Sequence, residues 1–156
     1  MSTPRASWRS ILDRHHCAYT VHEHAPAYSI AERQALPFPW SQAVKTLALT
    51  APETPLLLVA LWATDRVDFT RLATVVGVSR AKLRRADADL LFAEGLTPGG
   101  IPPVSHRPGV LCLIDTAVVE RTQPVYCGAG SAEFTLQVGS SDLARLPGAQ
   151  VTRLRR

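Results

Sequence analysis

The chain of 156 residues has few cysteines, few aromatic residues and no long apolar run. Its longest apolar stretch, residues 56–63, is far shorter than the roughly 18 residues that a membrane-spanning helix needs. Three cysteines without CxxC spacing argue against a disulfide framework, and no apolar segment follows the first residues as in a signal peptide. We therefore expect a cytoplasmic protein without membrane contact, with a single domain over residues 1–156.

Several motifs of cofactor and nucleophile chemistry are also missing. The sequence has no Walker A pattern, no GxGxxG and no Gly-x-Ser-x-Gly elbow, so nucleotide-cofactor chemistry and serine-hydrolase chemistry lack support. A local cluster of histidines and one cysteine remains as a weak argument for a metal-dependent hydrolase. It lacks the regular spacing and the second ligand pair of most metal sites, so we predict no metal and no cofactor. The cluster consists of His15, His16, Cys17, His22 and His24.

The charged residues show an unusual bias towards arginine. The net charge is +4, and 15 of the 17 basic residues are arginine; the two lysines are Lys45 and Lys82. This mild positive charge is compatible with a polyanionic partner but does not demand one.

The hydrophobic patterns mix strands and helices without the regular alternation of a Rossmann domain. Ser29 and Glu32 form a capping-box pattern, and residues 56–63 are typical of a central strand that is covered on both faces. We predict a mixed α/β fold whose sheet closes on itself. Further helix boundaries are predicted at Thr3, Asp68, Gly77, Asp87, Gly95 and the Ser140-Ser141 pair.

Lys45 interrupts the apolar strand Ala-Val-Lys-Thr-Leu-Ala-Leu, where a compact ammonium can donate to a carbonyl or phosphate oxygen. An edge lysine that reaches back to water is the equally weighted alternative. The loop of residues 97–106 combines Gly99 and Gly100 with three prolines, which suits a rigid binding wall. By itself, this composition is slightly more typical of a plain turn.

Other polar and glycine positions are ambiguous. The segment Gly128-Ala-Gly130 favours a hairpin turn over a ligand contact. Asp115 ends a strand and either orients a partner or caps a turn. His106 has the chemistry of a general base, although a lone loop histidine is more often simply exposed.

Taken in order, these segments resemble the YbaK/prolyl-tRNA-editing domain family. Tyr19-Thr-Val-His-Glu-His24 resembles its first strand, and Val44-Lys-Thr-Leu47 resembles its lysine motif. Gly95-Leu-Thr-Pro-Gly-Gly-Ile-Pro-Pro103 resembles its glycine-proline loop. No single motif is specific, whereas their shared order and spacing are. The other matching segments are residues 56–60, 67–69, 72–77, 114–115, 128–130 and 142–146.

The resemblance implies a mixed α/β fold with a barrel-like central sheet, and hydrolysis of the ester that joins an amino acid to the terminal adenosine of tRNA. It assigns the functional lysine to Lys45 and the loop over the aminoacyl group to Gly99 and Gly100. Many relatives have glycine where this chain has Ser105. A different path of the loop and a different substrate side chain are therefore both compatible with the sequence.

We therefore expect a deacylase that acts in trans on a misacylated tRNA, with a small amino acid such as alanine, cysteine or serine on tRNA-Pro. The alternative is a non-catalytic module that binds tRNA ends or a nucleotide, with a regulatory or synthetase-docking role. A synthetase partner and a monomer or homodimer are both compatible with the sequence. Lys45 acts either as an electrostatic anchor, which we favour, or in proton transfer. The predicted substrate contacts are Tyr19, His24, Tyr28, Ile101, Pro102, His106, Asp115, Gly128 and Gly130.

Overall fold

The computed structural model describes residues 8–156, so the helix start predicted at Thr3 lies outside the described part. The α-helices are α1 (Trp8–Arg14), α2 (Ile30–Gln34), α3 (Phe69–Val76), α4 (Ala88–Glu94), α5 (Thr116–Val119) and α6 (Ser140–Ala144). The strands are β1 (Tyr19–Glu23), β2 (Val44–Ala51), β3 (Thr54–Trp62), β4 (Arg84–Arg85), β5 (Leu111–Asp115), β6 (Pro124–Gly128), β7 (Phe134–Gly139) and β8 (Ala149–Thr152). Short 3-10 turns cover Trp40–Gln42 and Arg80–Lys82.

Local side-chain chemistry sets most helix ends. The predicted capping box is present: the Ser29 hydroxyl accepts from the Glu32 amide, and the Glu32 carboxylate accepts from the Ser29 amide, both at 3.0 Å. Helices α3 and α4 begin after Asp68 and Asp87 and end at glycines, as predicted. These short elements are thus determined by their immediate neighbours in the chain.

One helix cap and one whole helix differ from the prediction. The cap of α6 is Gly139 rather than the Ser140-Ser141 pair, and no side chain accepts a hydrogen bond there. Helix α5 was not predicted at all. Asp115 caps it by accepting from the Ala117 amide, because β5 ends at this carboxylate and the chain turns directly into the helix.

The eight strands within residues 8–156 form two sheets. One contains five strands in the order β4-β2-β3-β5-β8, in which β3, β5 and β8 run parallel to one another and the other pairs are antiparallel. The second is an antiparallel sheet of three strands in the order β1-β7-β6. This arrangement confirms the mixed α/β class.

No closed barrel forms over residues 8–156, which corrects the expectation of a sheet closed on itself. Strand β4 pairs only with Leu49 and Thr50 of β2, so the earlier residues of β2 lie next to β6. There the two sheets share a single bridge, between Ala43 and Tyr126. A barrel would need a continuous ladder at this seam.

The central strand β3 is buried on both faces, as its continuous apolar pattern predicted. Leu56 and Leu58 belong to the core that faces β6 and β7, whereas Leu57 and Val59 pack with Leu72 of α3 in a second core. Its neighbour β2 pairs with this buried strand, with Lys45 opposite Leu61 in the register. Over residues 8–156, no helix has the length and apolar character needed to cross a bilayer.

Candidate active site

Lys45 lies near the start of β2 and is half-buried. Its ammonium donates to the backbone oxygen of Asp65 at 2.5 Å, which orients the side chain without neutralising its charge. Burial lowers the pKa of Lys45, the nearby Asp65 carboxylate opposes this shift, and Arg66 and Arg85 add to it. The side chain is thus an oriented cation in a positively charged neighbourhood.

A cleft of about 250 Å³ opens beside this lysine. The glycine-proline loop contributes Gly99 and Ile101 to its lining, and the end of β6 contributes Gly128. Lys45 and the loop therefore share one cavity, although Gly99 comes 54 positions after Lys45 in the sequence. The remaining lining residues are Ile30, Arg33, Trp40, Ala43, Val44, Thr46 and Ala63.

The glycine wall of the cleft is held by direct backbone contact with the β6–β7 hairpin. A Cβ on Gly128 would lie 2.5 Å from the Gly100 carbonyl carbon, so only glycine permits this approach. The Gly130 amide donates to the Gly100 oxygen at 2.8 Å, and the Gly100 amide donates to Thr97 at 2.9 Å. Gly99 lies at the exposed tip of the turn, with a φ of 78° that favours glycine.

A family model for the aminoacyl-tRNA editing domain matches residues 24–146, which include Lys45 and the glycine-proline loop. The chain belongs to this aminoacyl-tRNA editing domain family. An editing domain implies a tRNA substrate, and membership agrees with the resemblance seen in the sequence. No curated protein matches the chain.

Solved structures share the fold of this editing domain. The crystal structure of hypothetical protein APE2540 has a TM-score of 0.82 and 22% identity, covering 95% of this chain and 98% of that one. A structure described as "a putative trans-editing enzyme for prolyl tRNA synthetase" has a TM-score of 0.78 and 24% identity, covering 100% of this chain and 99% of that one. Both likenesses span nearly the full length of each chain.

Three other predicted site residues lie on β1, directly after β1 or next to α2, and they do not line this cleft. The Tyr19 hydroxyl donates to Asp13 at 2.8 Å. The His24 Nε2 hydrogen-bonds with the Thr135 hydroxyl at 2.8 Å. Tyr28, at the end of the β1–α2 connection, is 76% exposed. The aromatic and histidine positions are therefore peripheral to the cleft of the editing domain.

Asp115 performs a structural task in the editing domain. It is fully buried, and its Oδ1 accepts from the amides of Leu154 at 2.7 Å and Arg155 at 3.0 Å. Its Oδ2 accepts from the Arg155 guanidinium at 2.8 Å, in addition to capping α5. This carboxylate ties the C-terminal segment to the parallel edge of the five-stranded sheet.

His106 and Ser105 lie in a different cavity, also of about 250 Å³, between α1 and the turn before β5. The buried His106 Nε2 hydrogen-bonds with Glu94 at 2.6 Å, and the Ser105 hydroxyl donates to the Val110 oxygen at 2.5 Å. Ser105 therefore stabilises its own turn, and it does not line the cleft that contains Lys45. Pro102 is buried and lines neither cavity.

The histidine and cysteine cluster at the start of the chain is dispersed. His22 hydrogen-bonds with Gln137 and His24 with Thr135, while Cys17 is buried near the end of α1. Within residues 8–156, no group of three or more histidine, cysteine or carboxylate side chains is placed to hold a metal ion.

Among the lining residues that sequence reasoning missed, three have polar or aromatic side chains: Arg33, Trp40 and Thr46. Arg33 follows directly after the capping-box residue Glu32, but one arginine among 15 carries no distinguishing signal. Trp40 lies in the 3-10 turn before β2, and only the path of that turn brings its side chain to the cleft. Thr46 follows Lys45 in the motif but was not singled out.

Proposed function

We propose that this chain is a free-standing aminoacyl-tRNA deacylase that acts in trans, formed as one domain by residues 1–156. The observation that carries the proposal is the shared cleft, which brings the Lys45 ammonium and the Gly99 turn to one cavity. A structure described as "a putative trans-editing enzyme for prolyl tRNA synthetase" shares the fold of this chain, which supports the trans-acting role.

The proposed reaction is hydrolysis of the aminoacyl ester. A water oxygen bonds to the ester carbonyl carbon, and the bond from that carbon to the ribose oxygen breaks. One water proton remains on the carboxyl group or is released, and the other goes to the ribose hydroxyl. In this step Lys45 stabilises negative charge on the carbonyl oxygen, an electrostatic task rather than a proton transfer. Asp65 keeps the ammonium oriented before the substrate arrives.

The loop positions the ester through shape and through one amide. The Gly100 amide is already engaged with Thr97, whereas the Gly99 amide has no hydrogen-bond acceptor within residues 8–156. We therefore assign the contact with the ester or its attacking water to Gly99, and the support of the wall to Gly100. Ile101 and Gly128 limit the space beside the aminoacyl side chain.

A covalent cysteine mechanism has no support in this geometry. All three cysteines are buried, and burial raises the pKa of Cys112 to about 12 and also raises the pKa of Cys127. A thiolate, which is the reactive form, is therefore disfavoured at these positions. Direct attack by water needs no such nucleophile because an ester is already an activated acyl group.

The proposed substrate carries a small amino acid, such as alanine, cysteine or serine, on tRNA-Pro. A synthetase pocket gains only about 1–3 kcal/mol from one methylene, so smaller amino acids escape rejection there and need a second site. A cleft of about 250 Å³ is large enough for such an aminoacyl group together with part of the ribose. A synthetase that delivers the tRNA fits this trans-acting role.

A panel of misacylated tRNAs tests the proposal. Alanyl-, cysteinyl- and seryl-tRNA-Pro, with prolyl-tRNA-Pro as the correctly charged control, are incubated with the protein, and the remaining ester is measured over time. We expect rapid loss of at least one misacylated ester and slow loss of the prolyl ester. Tight binding of every tRNA without ester loss above the buffer rate would instead establish a non-catalytic tRNA-binding module.

A further inference from the structure

Arg33 is a half-buried arginine without a counter-ion. Burial lowers the pKa of its guanidinium, and no carboxylate forms an ion pair with it within residues 8–156. The neighbouring Glu32 carboxylate accepts instead from the amides of Tyr28 and Ser29 in the capping box. A partly desolvated cation without a partner is costly, so an anionic ligand would stabilise this position.

The position of Arg33 ties it to the proposed site. It lines the same cleft as Lys45, and one of its terminal nitrogens would lie 3.4 Å from a Cβ built on Gly99. The guanidinium therefore lies against the turn that we assign to the ester. Neither Asp nor Glu lines this cleft, so its charged lining side chains are both cations.

Arg33 also lines a smaller adjoining cleft of about 50 Å³, together with Phe38, Trp40 and Tyr126. The Phe38 and Tyr126 rings stack there with centroids 4.9 Å apart. Aromatic faces beside a cation are the combination that proteins use to bind single-stranded nucleic acid, where bases stack and phosphates pair with the charge. The CCA end of tRNA is such a single strand.

We propose that Arg33 binds a phosphate of the terminal nucleotides of tRNA, while Lys45 serves the ester. This inference rests on the proposed function for the identity of the ligand. The aminoacyl group carries a positive amine and an uncharged ester, so the phosphodiester is the anion that this substrate offers. A guanidinium donates two parallel hydrogen bonds to phosphate oxygens, a geometry that a lysine ammonium does not reproduce.

The first test measures binding of AMP and of adenosine by calorimetry, with no ester present. We expect the wild-type protein to bind AMP more tightly than adenosine, and Arg33→Ala to lose tenfold or more in AMP affinity with little change for adenosine. Arg33→Lys should recover only part of the loss. Arg71→Ala removes an exposed arginine on α3 away from the cleft, and it should bind AMP like the wild type.

A second measurement uses an uncharged minihelix RNA that ends in CCA. Loss of one phosphate contact to a single strand should reduce the slope of log affinity against log salt by about 0.7 for Arg33→Ala, and by none for Arg71→Ala. With a misacylated tRNA as the substrate, Arg33→Ala should raise KM far more than it lowers kcat. Unchanged far-UV circular dichroism and Tm should show that the fold is intact, as expected because no residue of α2 is buried.

The outcomes separate the two proposals. Equal AMP affinity in the wild type and Arg33→Ala, or equal losses in Arg33→Ala and Arg71→Ala, would overturn the phosphate assignment. Failure of the wild-type protein to hydrolyse any aminoacyl ester would overturn the deacylase proposal, yet the AMP and salt measurements would still decide the role of Arg33.

Discussion

Replacing Lys45 with methionine should separate catalysis from stability. Methionine keeps a long unbranched side chain but removes the ammonium and its hydrogen bond to Asp65. The lost hydrogen bond is worth about 0.5–1.5 kcal/mol. The lowered pKa of Lys45 shows that burial disfavours its charged form. Replacing the cation with an uncharged group removes this cost and offsets the lost hydrogen bond. We expect the free energy of unfolding to change by less than about 1 kcal/mol, and Tm by less than about 4 °C.

The effect on deacylation should be far larger. Removal of one group that stabilises developing negative charge typically lowers kcat by about 10²–10³. Lys45→Arg should also be impaired, because a guanidinium is larger than the ammonium that the contact with Asp65 accommodates. Initial rates of ester loss from the best misacylated tRNA, measured beside a thermal melt, give both quantities.

The other lysine of the chain provides a matched control. Lys82 lies exposed in the 3-10 turn before β4, so Lys82→Met removes the same charge without touching the cleft, and it should deacylate like the wild type. Deacylation by Lys45→Met within threefold of the wild type, or full activity of Lys45→Arg, would refute the electrostatic role. A fall in Tm of more than 10 °C for Lys45→Met would show that the lysine is structural.

Three further predictions follow from other contacts. Gly128→Ala places a methyl group 2.5 Å from the Gly100 carbonyl carbon, so we expect a loss of about 1–3 kcal/mol in a denaturant melt and impaired deacylation. A variant with both values unchanged would refute the close approach of the two backbones. Asp115→Ala leaves one buried and three partly buried donors without their acceptor and should cost about 3–5 kcal/mol. The kcat/KM of the protein that stays folded should be unchanged, and a selective loss of activity would instead show a substrate contact. The Glu94 pKa lies at about 2, lowered chiefly by the hydrogen bond from Arg107, below its ordinary 4.5. The stabilisation from ionised Glu94 is thus complete above pH 4.5 and is lost as the pH falls towards 2. Urea melts of Glu94→Gln should therefore show a loss of stability at pH 7 that becomes smaller by pH 3. A loss that does not depend on pH would contradict this.

Much of the local structure could be predicted from the order of residues. The capping box at Ser29 and the helices that begin after Asp68 and Asp87 depend on side chains and amides a few positions apart, and these predictions are confirmed. The burial of residues 56–61 followed from a continuous apolar run. Local chemistry was not enough to predict the start of α6. Two serines suggested a cap there, but the chain turns directly from β7 into the helix, and Gly139 takes the cap position.

Whether the sheet closes into a barrel could not be predicted from the sequence, for a similar reason. Whether β2 and β6 form a full ladder depends on the twist and packing of both sheets, and the single bridge at Ala43 is an outcome of that packing. The same holds for His106 and Asp115. Their chemistry suited a site, yet the fold pairs them with Glu94 and Arg155.

By itself, the sequence determined that Lys45 stands on an apolar strand and that a stiff glycine-proline loop follows later in the chain, because both features depend only on neighbouring residues. Only the tertiary structure decided that these two features share a cleft, that the Asp65 oxygen orients the lysine, and that Arg33 lies against Gly99. These contacts join elements far apart in the chain, and their meeting is set by the packing of β2 against β3 and of the loop against the β6–β7 hairpin, which no short pattern encodes.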